Sequence, residues 1–348
     1  MIFTSDNWAG ASDRVVAALT DAASGDLPAY GGDSLTREAE RLFAEVFERE
    51  VFVFFVATGT AANSLALAQV GMAGGVVFCH RGAHIFVDEG GAPEFLAGCR
   101  LHPIDGEGGK LKPDALAAAI GRYPATAIHH GRPMGVSISQ LTEAGTAYSP
   151  AEIAALATIA REAGVALHMD GSRFANALAG SGTSAADLTW RAGVDMLSFG
   201  GTKNGCFAAE GVVFFDAALA DGFAFQRKRA GHLFSKSRFV SAQFAAYLTD
   251  GHWLELAKHA NAMAARLAAG IEGSSQARLA LRPDGNEVFA VLPLDMDLRL
   301  KAAGALYYEW PAETLSLAPI DGTVLVRLAT NFRTRAEDVD QFLAVLSE

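Results

Sequence analysis

The chain has 348 residues, 51% hydrophobic and 19% charged, which is enough apolar material for a large core and carries no compositional sign of disorder. Its formal net charge of -11 argues against a nucleic-acid surface, because gripping a phosphate backbone takes clustered Lys and Arg. Cys79, Cys99 and Cys206 are odd in number and widely spaced, which speaks against a disulfide framework or a thiolate zinc site and predicts small buried apolar side chains.

In chain order, the first residues show no basic segment followed by an apolar run, so no signal peptide is read. The most apolar strip, 51–57, is far shorter than the roughly 20 residues of a spanning helix; a soluble cytoplasmic protein with no membrane partner is expected, and no metal-ligating residue is singled out. Short β-branched and aromatic runs then alternate with segments of helical period, the pattern of an α/β fold with a mostly parallel sheet covered by helices. The predicted strands are 52–56, 76–79, 125–129, 165–169, 195–199 and 211–215. The predicted helices between them include 60–70, 113–121 and 150–163, the last two opening on proline. After about residue 239 a long helical region runs to 269, followed by a smaller α+β pattern with strands 288–292 and 324–328 and a closing helix 336–346. The expected organisation is a large domain over 1–240, with an N-terminal arm over 1–15, and a small domain over 241–348.

Three places carry chemistry. Val56-Ala-Thr58-Gly59-Thr60 is a strand running through a tight turn into a helix, where free amides and hydroxyls favour an anion; read alone, Thr58 is better taken as a helix cap. The strand Val165-Ala-Leu-His-Met ends in Asp170, a carboxylate at the edge where open sheets bind ligands, although strand-end aspartates often serve only as caps. Asp195-Met-Leu-Ser-Phe-Gly-Gly-Thr-Lys203 ends another strand with a lysine behind two glycines; desolvation there favours the neutral amine that an imine needs. An anion cradle, a strand-end acid and a strand-end amine are together what an aldehyde cofactor with a pyridine nitrogen and a phosphate arm requires. In the small domain, Arg327 sits inside the apolar run Val324-Leu-Val-Arg-Leu. It reads as a clamp for a substrate carboxylate or as one half of an internal ion pair.

With these residues in view, the chain resembles the low-specificity L-threonine aldolases, a family of fold-type-I pyridoxal-phosphate enzymes. The resemblance rests on Ser5-Asp6-Asn7, Tyr30-Gly31-Gly32-Asp33, the turn from Thr58 to Asn63, Ala83-His84, and the run from Asp88 to Phe95. It continues through Ser139-Gln140-Leu141-Thr142-Glu143, His168-Met169-Asp170-Gly171-Ser172-Arg173 and Phe199-Gly200-Gly201-Thr202-Lys203-Asn204-Gly205. It implies that Lys203 carries pyridoxal 5'-phosphate as a Schiff base, that Asp170 pairs with the pyridine nitrogen, and that Thr58, Gly59 and Thr60 hold the phosphate. It further implies that His84 stacks on the ring and arranges the base for the β-hydroxyl proton. Arg173 would lie near the ring oxygen and the substrate carboxylate, with Ser5, Asp6, Tyr30 and Arg327 at the substrate and Arg238 and Lys236 near the phosphate. The implied activity is cleavage of threonine-type β-hydroxy-α-amino acids to glycine and an aldehyde, in a homodimer or homotetramer with shared sites.

A β-eliminating lyase or an aminotransferase on the same scaffold would use the same Lys203 and Asp170. A cofactor-binding regulator would need a DNA-binding segment for which there is no spare length. The chain departs from the pattern at Gly32, where many relatives carry an acid, and at Thr4, where many carry arginine. Those changes bear on the preferred side chain more than on the chemistry.

Overall fold

The computed structural model describes residues 1–124, 126–315 and 321–347. Its larger sheet contains β1 (Phe52–Val56), β2 (Gly75–His80), β3 (Arg100–Ile104), β4 (Arg132–Ser139), β5 (Ala166–Gly171), β6 (Met196–Gly200) and β7 (Glu210–Phe214). Their order across the sheet is β1-β7-β6-β5-β4-β2-β3. Strands β3, β2, β4, β5 and β6 run parallel, whereas β7 is antiparallel to both β6 and β1. Every residue of β2, β6 and β7 is buried, as expected for apolar strands covered on both faces.

This topology decides where chemistry can sit. The carboxyl ends of β1, β2, β4, β5 and β6 share one edge, and because β7 runs the other way its first residue, Glu210, lies on that edge too. The register places Glu210 opposite Gly200 of β6 and opposite Val56 of β1. Beneath that edge the sheet rests on a cluster of aromatic rings. Phe43 packs edge-on to Phe199 at 5.0 Å and to Phe244 at 5.1 Å between centroids, with all three rings fully enclosed.

A smaller antiparallel sheet has the order β10-β11-β9-β8, with β8 (Arg278–Leu281), β9 (Glu287–Pro293), β10 (Tyr308–Glu309) and β11 (Thr323–Ala329). The helical region expected over 239–269 is two helices, Arg238–Leu248 and His252–Glu272. They are separated by a bend in which Asp250 and Gly251 have φ of 55° and 71°. The N-terminal residues cross to the small sheet. Phe3 donates its amide to Leu306 O and accepts from Ala329 N, and its ring packs on Phe342 at 5.6 Å. That attachment brings Ser5, Asp6 and Asn7 back over the larger sheet.

Two expectations need correction. Of the segment read as a strand at 125–129, residue 125 lies outside the described residues, and 126–129 form turns; the strand that pairs with β2 and β5 is Arg132–Ser139 instead. Residues 134–139 of that strand are all buried, a mainly apolar run whose start is masked by Gly131 and Pro133. Strand β3, absent from the expected strands, contains Pro103, which an edge strand paired only with β2 tolerates. Among the described residues no helix is long and apolar enough to cross a membrane. Cys79 and Cys206 are buried, as expected, and Cys99 is half-buried.

Candidate active site

Thr58 ends the loop after β1 in extended backbone, and its hydroxyl accepts from Ala61 N at 3.2 Å, capping helix Gly59–Gln69. The first amides of a helix have no helical acceptor, so those of Gly59 and Thr60 are available to an anion, and the helix dipole adds to that attraction. The cap reading and the cradle reading of Thr58 therefore describe one turn.

Asp170, at the end of β5, is 3% exposed. One oxygen accepts from Ser172 N at 3.0 Å and Ser172 Oγ at 2.7 Å, the other from Asn63 Nδ2 at 2.9 Å. Burial pushes its carboxyl pKa up, but the Ser172 hydroxyl and the fields of His84 and Lys203 outweigh it and hold the group below the usual range. Asn63 is a bridge, since the same amide nitrogen donates to Glu89 Oε1 at 2.8 Å. Glu89 Oε1 also meets His84 Nδ1 at 2.9 Å. The Glu89 contact raises the His84 pKa, with burial working against it. His84, Glu89, Asn63, Asp170 and Ser172 thus form one hydrogen-bonded chain reaching from Ala83-His84 to β5.

Lys203 lies in the short turn Thr202–Asn204 that follows β6, half-buried. Asn204 pins that turn by donating to Tyr247 OH at 2.7 Å and Trp253 O at 2.8 Å. The two glycines before it have a steric purpose. A Cβ at Gly200 would stand 2.5 Å from Ser172 O, and one at Gly201 would stand 2.8 Å from Ala209 O. Only glycine lets the end of β6 close on the segment after Asp170. A cleft of about 240 Å³ results, lined by Thr58, Gly59, Thr60, His84, Ser172 and Lys203 and completed by Asn7, Ala57, Glu89, Thr202 and Glu210.

Beside this cleft is a second cluster. Arg173, also buried, holds Asp6 with Nε at 2.7 Å and Nη2 at 3.3 Å, and its Nη2 lies 3.1 Å from Glu287 Oε1. Despite burial, the Arg173 guanidinium brings the Asp6 carboxyl down to about 2, aided by Lys203 and by Asn286, which donates at 3.1 Å. Arg327 stands 3.6 Å from the same Glu287 oxygen, donates to Thr4 O at 3.2 Å, and lies 4.3 Å over the Trp310 ring. The ion pair considered for Arg327 from sequence is therefore present.

The remaining expected residues are placed less centrally. The Ser5 hydroxyl accepts from Asn7 N at 3.2 Å at the start of the turn that carries Asp6. Tyr30 is exposed, with φ of 58° in the left-handed region, and Arg238 donates to Gly25 O at 3.1 Å; neither lines the cleft of its own chain. Sequence reasoning assigned no role to Asn63, Glu89, Ser172, Glu210 or Glu287. Glu89 and Asn63 stood in segments already singled out, but their partnership joins residues 26 apart and has no periodic signature.

The donor set suits pyridoxal 5'-phosphate. An amine faces the cleft for the aldehyde, free amides at a helix start suit the phosphate, and an ionised carboxylate behind Ser172 suits a protonated pyridine nitrogen. Comparison with known proteins agrees. The family described as beta-eliminating lyase matches residues 3–293. The chain belongs to that family. It is 41% identical to a low specificity L-threonine aldolase of Pseudomonas aeruginosa over 313 residues, 89% of this chain and 90% of the relative. A second relative of that name, from a Pseudomonas species, is 43% identical over 82% of this chain and 83% of its own length. The solved threonine aldolase of Leishmania major superposes with a TM-score of 0.91 at 29% identity, covering 99% of this chain and 98% of that one. Serine palmitoyltransferase of Sphingomonas wittichii, at 15% identity and a TM-score of 0.71, covers 100% of this chain and 86% of its own; it shares the fold.

Glu210 supplies a prediction. Burial pushes its carboxyl up from 4.5 to about 7, with Thr202 and Lys203 opposing. The folded protein then binds a proton that the unfolded chain gives up, so this group's contribution falls as pH rises from about 4.5 to 7. In cofactor-free protein, Glu210→Gln is expected to remove that slope and to gain on the order of 1–3 kcal/mol over the parent between acidic and mildly alkaline pH. Denaturant unfolding of both proteins across this range checks it; parallel curves would contradict it.

Proposed function

We propose that this chain binds pyridoxal 5'-phosphate and cleaves threonine-type β-hydroxy-α-amino acids into glycine and an aldehyde. The observation that carries the reading is one cleft lined by Lys203, Gly59 and Thr60, with the Asp170 carboxylate directly behind the lining residue Ser172. Identity above 40% to two low specificity L-threonine aldolases supports the same reaction.

When bound, the cofactor supplies an electron sink for the bond broken at Cα. The rest falls to the protein. Lys203 would hold the aldehyde carbon until a substrate amine replaces it, and Asp170 would keep a proton on the pyridine nitrogen. Gly59 and Thr60 would fix the phosphate end, with Thr58 shaping their turn. Arg327 and Arg173, with Ser5 and Asp6 alongside, would fix the substrate carboxylate, so that the reacting bond is set by two anchored ends. His84 has Nδ1 committed to Glu89 and no protein partner at Nε2 among the described residues. That leaves Nε2 to hold the water or hydroxyl from which the β-hydroxyl proton departs. Tyr30, Lys236 and Arg238 lie off their own cleft, and a second copy of the chain would bring them to it; a homodimer or homotetramer with shared sites is part of the proposal.

Two experiments test the reading. Incubation with threonine, allo-threonine and phenylserine is expected to yield glycine and the matching aldehyde in equal amounts. Ammonia with a keto acid would establish β-elimination instead, and cofactor converted to its amine form would establish transamination. Because the Glu89 contact raises the His84 pKa, and a proton-accepting His84 must be neutral, the acid limb of the kcat profile is expected above 6.5. In Glu89→Gln it should move to lower pH, and an unmoved limb would remove His84 from that role.

A further inference from the structure

Glu287 is the most enclosed acid of the second cluster and has the weakest support. It opens β9, is 1% exposed, and among the described residues neither carboxylate oxygen receives an aligned hydrogen bond, although two guanidiniums stand within 3.6 Å. The charged groups around it are Arg173 from the segment after β5, Arg327 from β11, Asp6 from the N-terminal turn and Glu143 from the loop after β4. Lys203, whose field also reaches Asp6, is engaged by the cofactor in the loaded protein concerned here, and with every acid ionised the cluster is two cations against three anions. An amino-acid carboxylate directed to Arg327 would enter against that charge.

A proton taken up by one of the three acids would offset that charge. Asp6 is held ionised by two hydrogen bonds from Arg173 and one from Asn286. Glu143 is only partly buried. Glu287 has no aligned donor among the described residues and is closed off from solvent, and a buried carboxylate in that position is the costliest of the three to keep charged. Burial pushes its carboxyl pKa up, with Arg173 and Arg327 opposing.

We propose that Glu287 takes up a proton when a substrate carboxylate seats on Arg327 and returns it on release, so that the two arginines are transferred from an internal acid to the substrate. This rests on the assignment of Arg327 as the carboxylate clamp and goes beyond it by making binding proton-coupled through a residue that need not touch the substrate. Glu287 is in this sense a positioning residue.

The test is calorimetric titration of glycine into the cofactor-loaded protein, near neutral pH, in two buffers of different ionisation enthalpy. The difference between parent and Glu287→Gln isolates the proton that Glu287 contributes, because proton changes at the amine are common to both. An excess uptake in the parent on the order of half a proton per site is expected, and equal uptake in the two proteins overturns the proposal. Arg327→Leu examines the underlying assignment separately. Glycine binding weakened by about 30-fold or more upholds the clamp, and unchanged affinity removes it. Should the glutamine variant fail to fold, difference infrared spectra of the parent decide the question: a protonated-carboxyl band gained on adding glycine supports the proposal, and no such gain overturns it.

Discussion

Asp170 is almost wholly enclosed, and a carboxylate in that position takes up a proton unless its charge is met on several sides. Here it is met by the backbone and hydroxyl of Ser172, by the Asn63 amide, and by the nearby positive fields of His84 and Lys203. Each support depends on a different part of the fold. Ser172 follows directly in the chain, Asn63 comes from the helix after β1, His84 is tied in through Glu89, and Lys203 arrives at the end of β6. The parallel run of β2, β4, β5 and β6 and the glycine at 200 exist in this arrangement to bring those parts within hydrogen-bond range of one acid.

The same logic runs through the neighbouring arginine cluster with a different outcome. Asp6 is fully supported and stays ionised, while Glu287 has ion-pair distances without aligned donors. Two buried arginines facing one poorly supported acid form a site whose charge balance changes easily, and it lies where the small sheet and the N-terminal segment meet the larger sheet. Phe3, inserted between Leu306 and Ala329, is what anchors that segment and so positions Asp6.

Much of this was legible in the sequence because it is local. The strand ending in Asp170, the glycine pair before Lys203 and the turn at Thr58 each declare themselves within ten residues, through apolar runs interrupted by a single polar group. What was not legible is long-range. The bridge from Asn63 to both Glu89 and Asp170, the sharing of Glu287 by Arg173 and Arg327, and the placement of Glu210 on the active edge by an antiparallel strand all need three-dimensional registration. The misplaced strand has a local cause: Pro133 and Gly131 hide the start of β4, so the apolar residues just upstream attracted the assignment.

The central claim is that one amine, Lys203, is delivered to a cofactor aldehyde by the geometry around Asp170. The most direct measurement is borohydride reduction of protein reconstituted with pyridoxal 5'-phosphate, followed by peptide mapping. The account predicts a single stable cofactor adduct on the peptide that contains Lys203. An adduct on a different lysine, or none at all, would contradict it.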